Sequence, residues 1–221
     1  MKRVWVYGLH VKVTGVIVSD GNLQHPFDAA IVAVGPHQLD DAVHHDECFE
    51  DAITAAARLD YEPIATIWLG YPTRTPLPAT MARLDDGPGQ WIVDRSEVLT
   101  GAAQDASRPA LAQLVSVVIS ASGPHEAQDP AALARACDAQ LRRLLPGWPV
   151  LAWSQSIVEQ RATYACTPGR ARPATPFPHP RVMLAGDWLD PEFPATLEAA
   201  VRTGVAAAVA LDRSMANEQL A

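Results

Sequence analysis

The feature that most constrains this chain is the run Arg181-Val182-Met183-Leu184-Ala185-Gly186-Asp187-Trp188, together with the loop and helix after it. Its apolar residues, closed by Gly-Asp, read as a short buried strand. A short acidic loop, Leu189 to Phe193, leads to Pro194-Ala195-Thr196-Leu197-Glu198 and a helix rich in alanine, with Gly204 in its middle. A strand, a tight loop and a helix of small residues fold stably only when helix and strand pack in layers, because small side chains let the backbones approach. The same order leaves open chemistry at the junction. Gly186 has no side chain, so a ligand can lie against the strand end. Asp187 can accept hydrogen bonds from hydroxyl groups or order the loop. The free amides at the helix start, Thr196 and Leu197, favour an electron-rich edge.

The rest of the chain alternates strand and helix signals. Val4-Trp5-Val6-Tyr7-Gly8 is similar to the opening strand of a dinucleotide-binding fold, but the three glycine positions of the phosphate cradle read Gly8, His10 and Val13. A β-carbon at the last two keeps a pyrophosphate away. Val4 to Ser19 is instead one or two strands, closed by the turn Ser19-Asp20-Gly21-Asn22. Phe27 to Val34, ending at Gly35-Pro36, reads as one buried strand. A short helix within His44 to Leu59 precedes a strand from Ile64 to Tyr71. The proline-rich stretch from Pro72 to Gly89 is loop with a short strand near Met81, and Trp91 to Val93 and Leu114 to Ile119 are further strands. Asp129-Pro130 opens a helix with Leu133, Cys137, Leu141 and Leu144 on one face and Arg135, Asp138 and Arg142 off it. That helix ends at Pro146-Gly147; Val150 to Glu159 reads as a strand, and Thr167 to Pro180 as a connector. The fold class is α/β in the broad sense, a mixed α+β chain, with no internal repeat.

Charge and cysteine content narrow the function classes. A net charge of -8 with scattered arginines offers no surface for a phosphate backbone, so nucleic acid is excluded as a partner. Cys48, Cys137 and Cys166 show no metal-ligand spacing and fit a reducing compartment, which places the chain in the cytoplasm. No apolar run approaches the roughly 20 residues that span a bilayer. Peripheral contact with a membrane, at the inner membrane, stays open. His44-His45-Asp46-Glu47 has ligand-type side chains, yet contiguous residues point in different directions, so it reads as solvated and no metal site is assigned. Cys166 reads as incidental and Glu198 as a helix-dipole carboxylate; Trp68, Trp91, Trp148, Trp153 and Trp188 could line an apolar substrate tunnel, but all except Trp188, beside the motif, read as core. No catalytic acid or base stands out.

The Leu184-Ala185-Gly186-Asp187-Trp188 run followed by Pro194-Ala195-Thr196-Leu197-Glu198 resembles the C-terminal flavin motif of the amine oxidase and phytoene desaturase superfamily. Asp28 to Pro36 resembles the segment by which that family's chain leaves its flavin domain. Leu59 to Thr66 and Arg161 to Pro168 resemble the squalene-associated branch, the hydroxysqualene dehydroxylases. The resemblance covers the whole chain in order, but only the second half of a full-length member. It implies FAD as cofactor, with the ribityl and phosphate part at Gly186 and Asp187, Trp188 beside them, the pyrimidine edge at the backbone of Ala195, Thr196 and Leu197, and the adenine passing Val11. It also implies a flavin-domain part at 1–47 and 181–221, a substrate domain at 48–180, and an absent N-terminal βαβ unit. The implied substrate is a long apolar isoprenoid, most specifically hydroxysqualene, reduced to squalene. A polyene desaturase or amine oxidase of the same superfamily, and a cofactor-free module paired as a homodimer, stay open beside it. One departure is Glu198-Ala199-Ala200 where the family has Glu-Gly-Ala, which adds a methyl group near the cofactor.

Overall fold

Two stretches of the chain build their own interiors, because each has strands whose apolar faces find partners close at hand. In the computed structural model, residues 8–12, 15–19, 24–43, 47–100, 110–169 and 179–219 are described. Two compact units result: Met1–Asp60 with Tyr164–Ala221, and Tyr61–Thr163. From sequence, the divisions were expected at 47/48 and 180/181. The strands in chain order are β1 (Gly8–Lys12), β2 (Gly15–Ser19), β3 (Gln24–Phe27), β4 (Ala30–Val32), β5 (Tyr61–Tyr71), β6 (Met81–Arg83), β7 (Trp91–Asp94), β8 (Gln113–Ser120), β9 (Trp153–Tyr164) and β10 (Val182–Leu184). The helices are α1 (Leu39–Val43), α2 (Glu50–Ala57), α3 (Pro130–Leu144) and α4 (Leu197–Gln219).

In the unit of residues 61–163, five strands form one sheet in the order β6-β7-β8-β5-β9. Register explains its core. Ile67 of β5 stands opposite Val117 of β8, which stands opposite Ile92 of β7, and directly opposed residues share a face. Ala65, Ile67, Leu69 and Tyr71 alternate along that face, and α3 covers it with Leu133, Cys137 and Leu141. Asp129 caps α3 by accepting the Ala132 amide at 2.9 Å, and Pro130 fills the first helical position, where no amide donor is needed. Asp138 corrects the sequence reading: it is buried on the core side, where it accepts the Tyr71 hydroxyl at 2.9 Å and meets Arg142 at 2.8 Å. Helical spacing alone could not find it, because its partner is 67 residues away. Burial pushes the Cys137 thiol up to about 12, which keeps it protonated and inert at neutral pH.

The other unit carries two small sheets, the antiparallel β1-β2-β3 and the parallel pair β4–β10. The single strand expected from Phe27 to Val34 is instead split at Asp28-Ala29 into the end of β3 and the whole of β4. The reason is that β3 pairs antiparallel with β2 while β4 pairs parallel with β10, and one straight segment cannot serve both ladders. Only Val32 of that run is buried; Phe27 and Ile31 are exposed. β9 likewise runs to Tyr164, beyond the expected end at Glu159. Val4 to Tyr7, Val13, the turn residues Asp20 to Asn22, His44 to Asp46 and most of the connector lie outside the described residues. Among the described residues, no helix is long and apolar enough to cross a membrane, and no cluster of metal-ligating side chains occurs.

Candidate functional site

β10 is a three-residue strand, all of it buried, whose ladder to β4 ends with the Ala185 amide donating to the Val32 carbonyl at 3.0 Å. Past it the strand has no sheet partner among the described residues. Thr203 takes that place. Its hydroxyl oxygen accepts the Gly186 amide at 3.1 Å and lies within donating distance of the Gly186 carbonyl (3.0 Å) and the Ala199 carbonyl (2.9 Å). A hydroxyl has one proton, so it serves these acceptors alternately. Thr203 follows Thr196 by two helical turns and projects from the same side of α4.

Gly186 is half-buried with φ 163, extended backbone that any residue adopts. Its requirement for glycine is spatial: a β-carbon there would stand 2.6 Å from the Trp188 indole nitrogen. Trp188 is 3% exposed, and its indole N–H meets no acceptor among the described residues. A buried donor left unmatched costs about 1–3 kcal/mol, so an acceptor supplied from outside is worth that much to this side chain.

Between Asp187 and Ala195 the chain makes a loop whose acidic groups are used internally. Asp190, 4% exposed, accepts the amides of Glu192 (2.7 Å) and Phe193 (2.9 Å) and pairs with Arg202 at 3.2 Å. Arg202 also holds Glu192 at 2.7 Å and lies 4.8 Å above the Phe193 ring. The acidity seen in the sequence is therefore neutralised by α4 and makes no cation site. Tyr164, at the end of β9, joins the two ends of the loop: its hydroxyl accepts the Ala195 amide at 2.5 Å and donates to the Asp187 carbonyl at 3.1 Å.

Ala195 has φ 57, the left-handed region, which costs a residue with a β-carbon roughly 1–2 kcal/mol. That conformation turns the chain into α4. Thr196 then caps the helix, accepting the Ala199 amide at 3.1 Å and donating to the Phe193 carbonyl at 2.6 Å. The amides of Thr196, Leu197 and Glu198 are matched by no acceptor among the described residues. Beside them Leu197 is 87% exposed, and Val201 and Val205 continue an open apolar stripe along a groove of about 550 Å³.

Of the residues expected at the cofactor, Gly186, Asp187, Trp188, Ala195, Thr196 and Leu197 thus stand in one strand-loop-helix unit. Val11 lies elsewhere, in β1 opposite Val16, and the principal neighbours of β1 are β2 and α1. Gly204 was expected to let α4 approach neighbouring backbone or cofactor; of these, no protein atom among the described residues lies within 4 Å of a β-carbon placed there. Cys166 is exposed and free. Tyr164, Thr203 and the Asp190–Arg202 pair were not singled out from sequence. Only the spacing of the two threonines offered a signal; the tyrosine sits 31 residues before Ala195.

The residues present fit a flavin. An unmatched indole N–H, a strand end without a side chain and unmatched helix amides beside an apolar stripe suit a flat ring with a polar, electron-rich edge.

The family described as flavin containing amine oxidoreductase matches this chain over residues 7–212. Hydroxysqualene dehydroxylase of Rhodopseudomonas palustris is 42% identical over 66 residues, which are 29% of this chain and 14% of that protein. The structure of cyclohexylamine oxidase from Brevibacterium oxydans superposes with a TM-score of 0.66 at 14% identity, covering 96% of this chain and 48% of that one. An oxidoreductase from Methanosarcina mazei gives 0.60 at 13% identity, covering 91% and 47%. At these identities the structural likeness establishes the fold. The chain spans about half the length of the solved structures it matches.

Proposed function

The chain belongs to the family of flavin containing amine oxidoreductases, and from that premise we propose that it is the C-terminal portion of an FAD-dependent oxidoreductase acting on a long apolar isoprenoid. The most specific form of this reading is replacement of the hydroxyl of hydroxysqualene by a hydride that the reduced flavin would supply, the hydroxyl leaving as water with one proton and the oxidised flavin being re-reduced by an external electron donor. The observation that carries the cofactor part is the coincidence, at one strand-helix junction, of the unmatched Trp188 N–H and the unmatched amides of Thr196 and Leu197. When bound, FAD supplies the hydride chemistry. Gly186 admits it to the strand end, Asp187 and Trp188 offer hydrogen-bonding groups to its polar parts, and the start of α4 presents amides and dipole to its electron-rich edge.

Two observations support an apolar substrate. One is the 42% identity to hydroxysqualene dehydroxylase. The other is the sheet face that α3 does not cover in the unit of residues 61–163. Trp68 stands opposite Ser116, and Trp91 opposite Val118, so Trp68, Trp91, Val93 and Val118 share that face with Ile64. These side chains are half-buried or exposed and uncharged, with Arg83, opposite Trp91, a charged residue at the edge of the face, so that they can form a wall for a hydrocarbon chain. Such a substrate dissolves in membranes, so peripheral association at the inner membrane accompanies this reading.

The test is to purify the chain, add FAD and record flavin absorbance after gel filtration, then to assay conversion of hydroxysqualene to squalene, with the flavin kept reduced by an added electron donor such as dithionite, by a polypeptide joining this chain to a dinucleotide-binding half. Flavin retained with squalene formed is the expected result. Oxidation of an amine in place of hydroxysqualene supports the amine oxidase reading. Absence of flavin from both polypeptides defeats the cofactor assignment.

A further inference from the structure

We propose that Tyr164 is a positioning residue for the flavin site, its hydroxyl fixing the separation between the strand end at Gly186-Asp187 and the start of α4; this deepens, and rests on, the flavin reading of that site. Tyr164 is 2% exposed, so its ring fills space as a phenylalanine would. The hydroxyl adds something else. It accepts the Ala195 amide at 2.5 Å and donates to the Asp187 carbonyl at 3.1 Å, spanning a loop whose ends are eight residues apart by number.

The consequence lies in Ala195. Its φ of 57 is held against the preference of a residue with a β-carbon, and such strain persists only where neighbouring bonds over-determine it. On one side Ala195 is held by the Tyr164 hydroxyl, and on the other Thr196 is tied to Phe193 and Ala199. Without the Tyr164 bond, Ala195 relaxes toward negative φ and the amides of Thr196 and Leu197 swing with it. Thr203 cannot compensate, because it fastens α4 to Gly186 one to two turns further along the helix. Thr203 therefore sets how deeply the helix seats on the strand, and Tyr164 sets how wide the opening above it is.

Tyr164→Phe keeps the ring and removes only the hydroxyl. In the full chain without flavin, amide exchange over residues 187–199 should rise by about tenfold, as expected for the loss of hydrogen bonds worth about 1 kcal/mol each, while exchange in the body of α4 stays unchanged. With FAD, the variant should bind about tenfold more weakly and shift the absorption bands of the bound flavin. Ala195→Gly in the same background should recover part of that loss, because glycine adopts φ 57 without strain. A residue that merely fills the core would lower the melting temperature and leave affinity, spectrum and rescue unmoved, and that outcome overturns the proposal. So does unchanged exchange in the loop. If the parent chain retains no flavin, its cofactor reading fails by itself, and loop exchange still decides whether Tyr164 holds the junction.

Discussion

The five-stranded unit and the β10–α4 segment are built from similar residues but closed to different degrees. In the first, the core face of the sheet is sealed by α3, and buried polar groups are matched within the unit. Gln140 accepts the Gly89 amide at 2.8 Å and donates to its carbonyl at 3.0 Å, and Gln113 exchanges two hydrogen bonds with Thr75. Among the described residues, the Trp148 indole N–H, whose ring stands edge-on to Tyr71 with centroids 5.2 Å apart, and the His125 Nε2 are exceptions. In the second, α4 buries Ala199 and Ala207 on one side and leaves Leu197, Val201, Val205 and Val209 exposed on the other. The difference separates stability from function: the sealed unit accounts for most of its own buried side chains, whereas the open helix face and the unmatched donors beside it are left available to a ligand.

The largest test of this contrast is a pair of truncations. Ile67→Ala deletes a side chain that is 0% exposed in the middle of the sealed core, and should cost about 2–5 kcal/mol in urea unfolding. Val205→Ala, from 60% exposed on α4, should cost under about 0.5 kcal/mol. Comparable losses would mean that the outer face of α4 is covered in solution, and the comparison would break.

Two glycines give a sharper version, because the expected signs are opposite. A β-carbon at Gly87 would fall 2.2 Å from the Gln140 side chain, which its own hydrogen bonds hold in place. Gly87→Ala should therefore destabilise by about 1–3 kcal/mol, as overpacking does. At Gly204 a β-carbon meets nothing within 4 Å, and the position is inside a helix. Gly204→Ala should stabilise by about 0.5–1 kcal/mol through helix propensity. Destabilisation at Gly204 in thermal unfolding would reveal a close neighbour on that face.

Legibility in the sequence divides along the same line. The apolar run from Ile64 to Tyr71, the β-branched run of β8 and the Asp129-Pro130 start of α3 are local signals, and all three elements formed, β5 beginning three residues earlier than read, at Tyr61. Gly186, Trp188 and Thr196 fall in one strand-loop-helix unit because the motif and the helix start are contiguous. The parts that were not legible depend on distance in the chain. Nothing near Asp138 indicates that Tyr71 will bury it, and nothing near Ala195 indicates that a tyrosine from β9 will hold its amide. The break between β3 and β4 escaped for a related reason: apolarity marks a strand but does not say which of two ladders it joins.

The smallest effect expected is electrostatic, at the rim of the sealed unit. Arg143 donates two hydrogen bonds to Asp85, at 2.7 and 3.0 Å, and Gln140 donates a third at 3.1 Å. The Arg143 guanidinium first, and the Gln140 amide second, hold the Asp85 carboxyl below the usual carboxylate range. A carboxyl whose folded value is depressed contributes stability that is fully present above its unfolded value and is lost as pH falls through the folded one. Asp85→Asn should accordingly be slightly less stable than the parent at neutral pH, with the gap closing below about pH 4. The pair is exposed, so added salt should shrink the neutral-pH gap as well. If the gap persists undiminished into acid, the contribution of Asp85 comes from neutral hydrogen bonding to Gln140 instead of its charge. The rim would then be sealed in the way the core is.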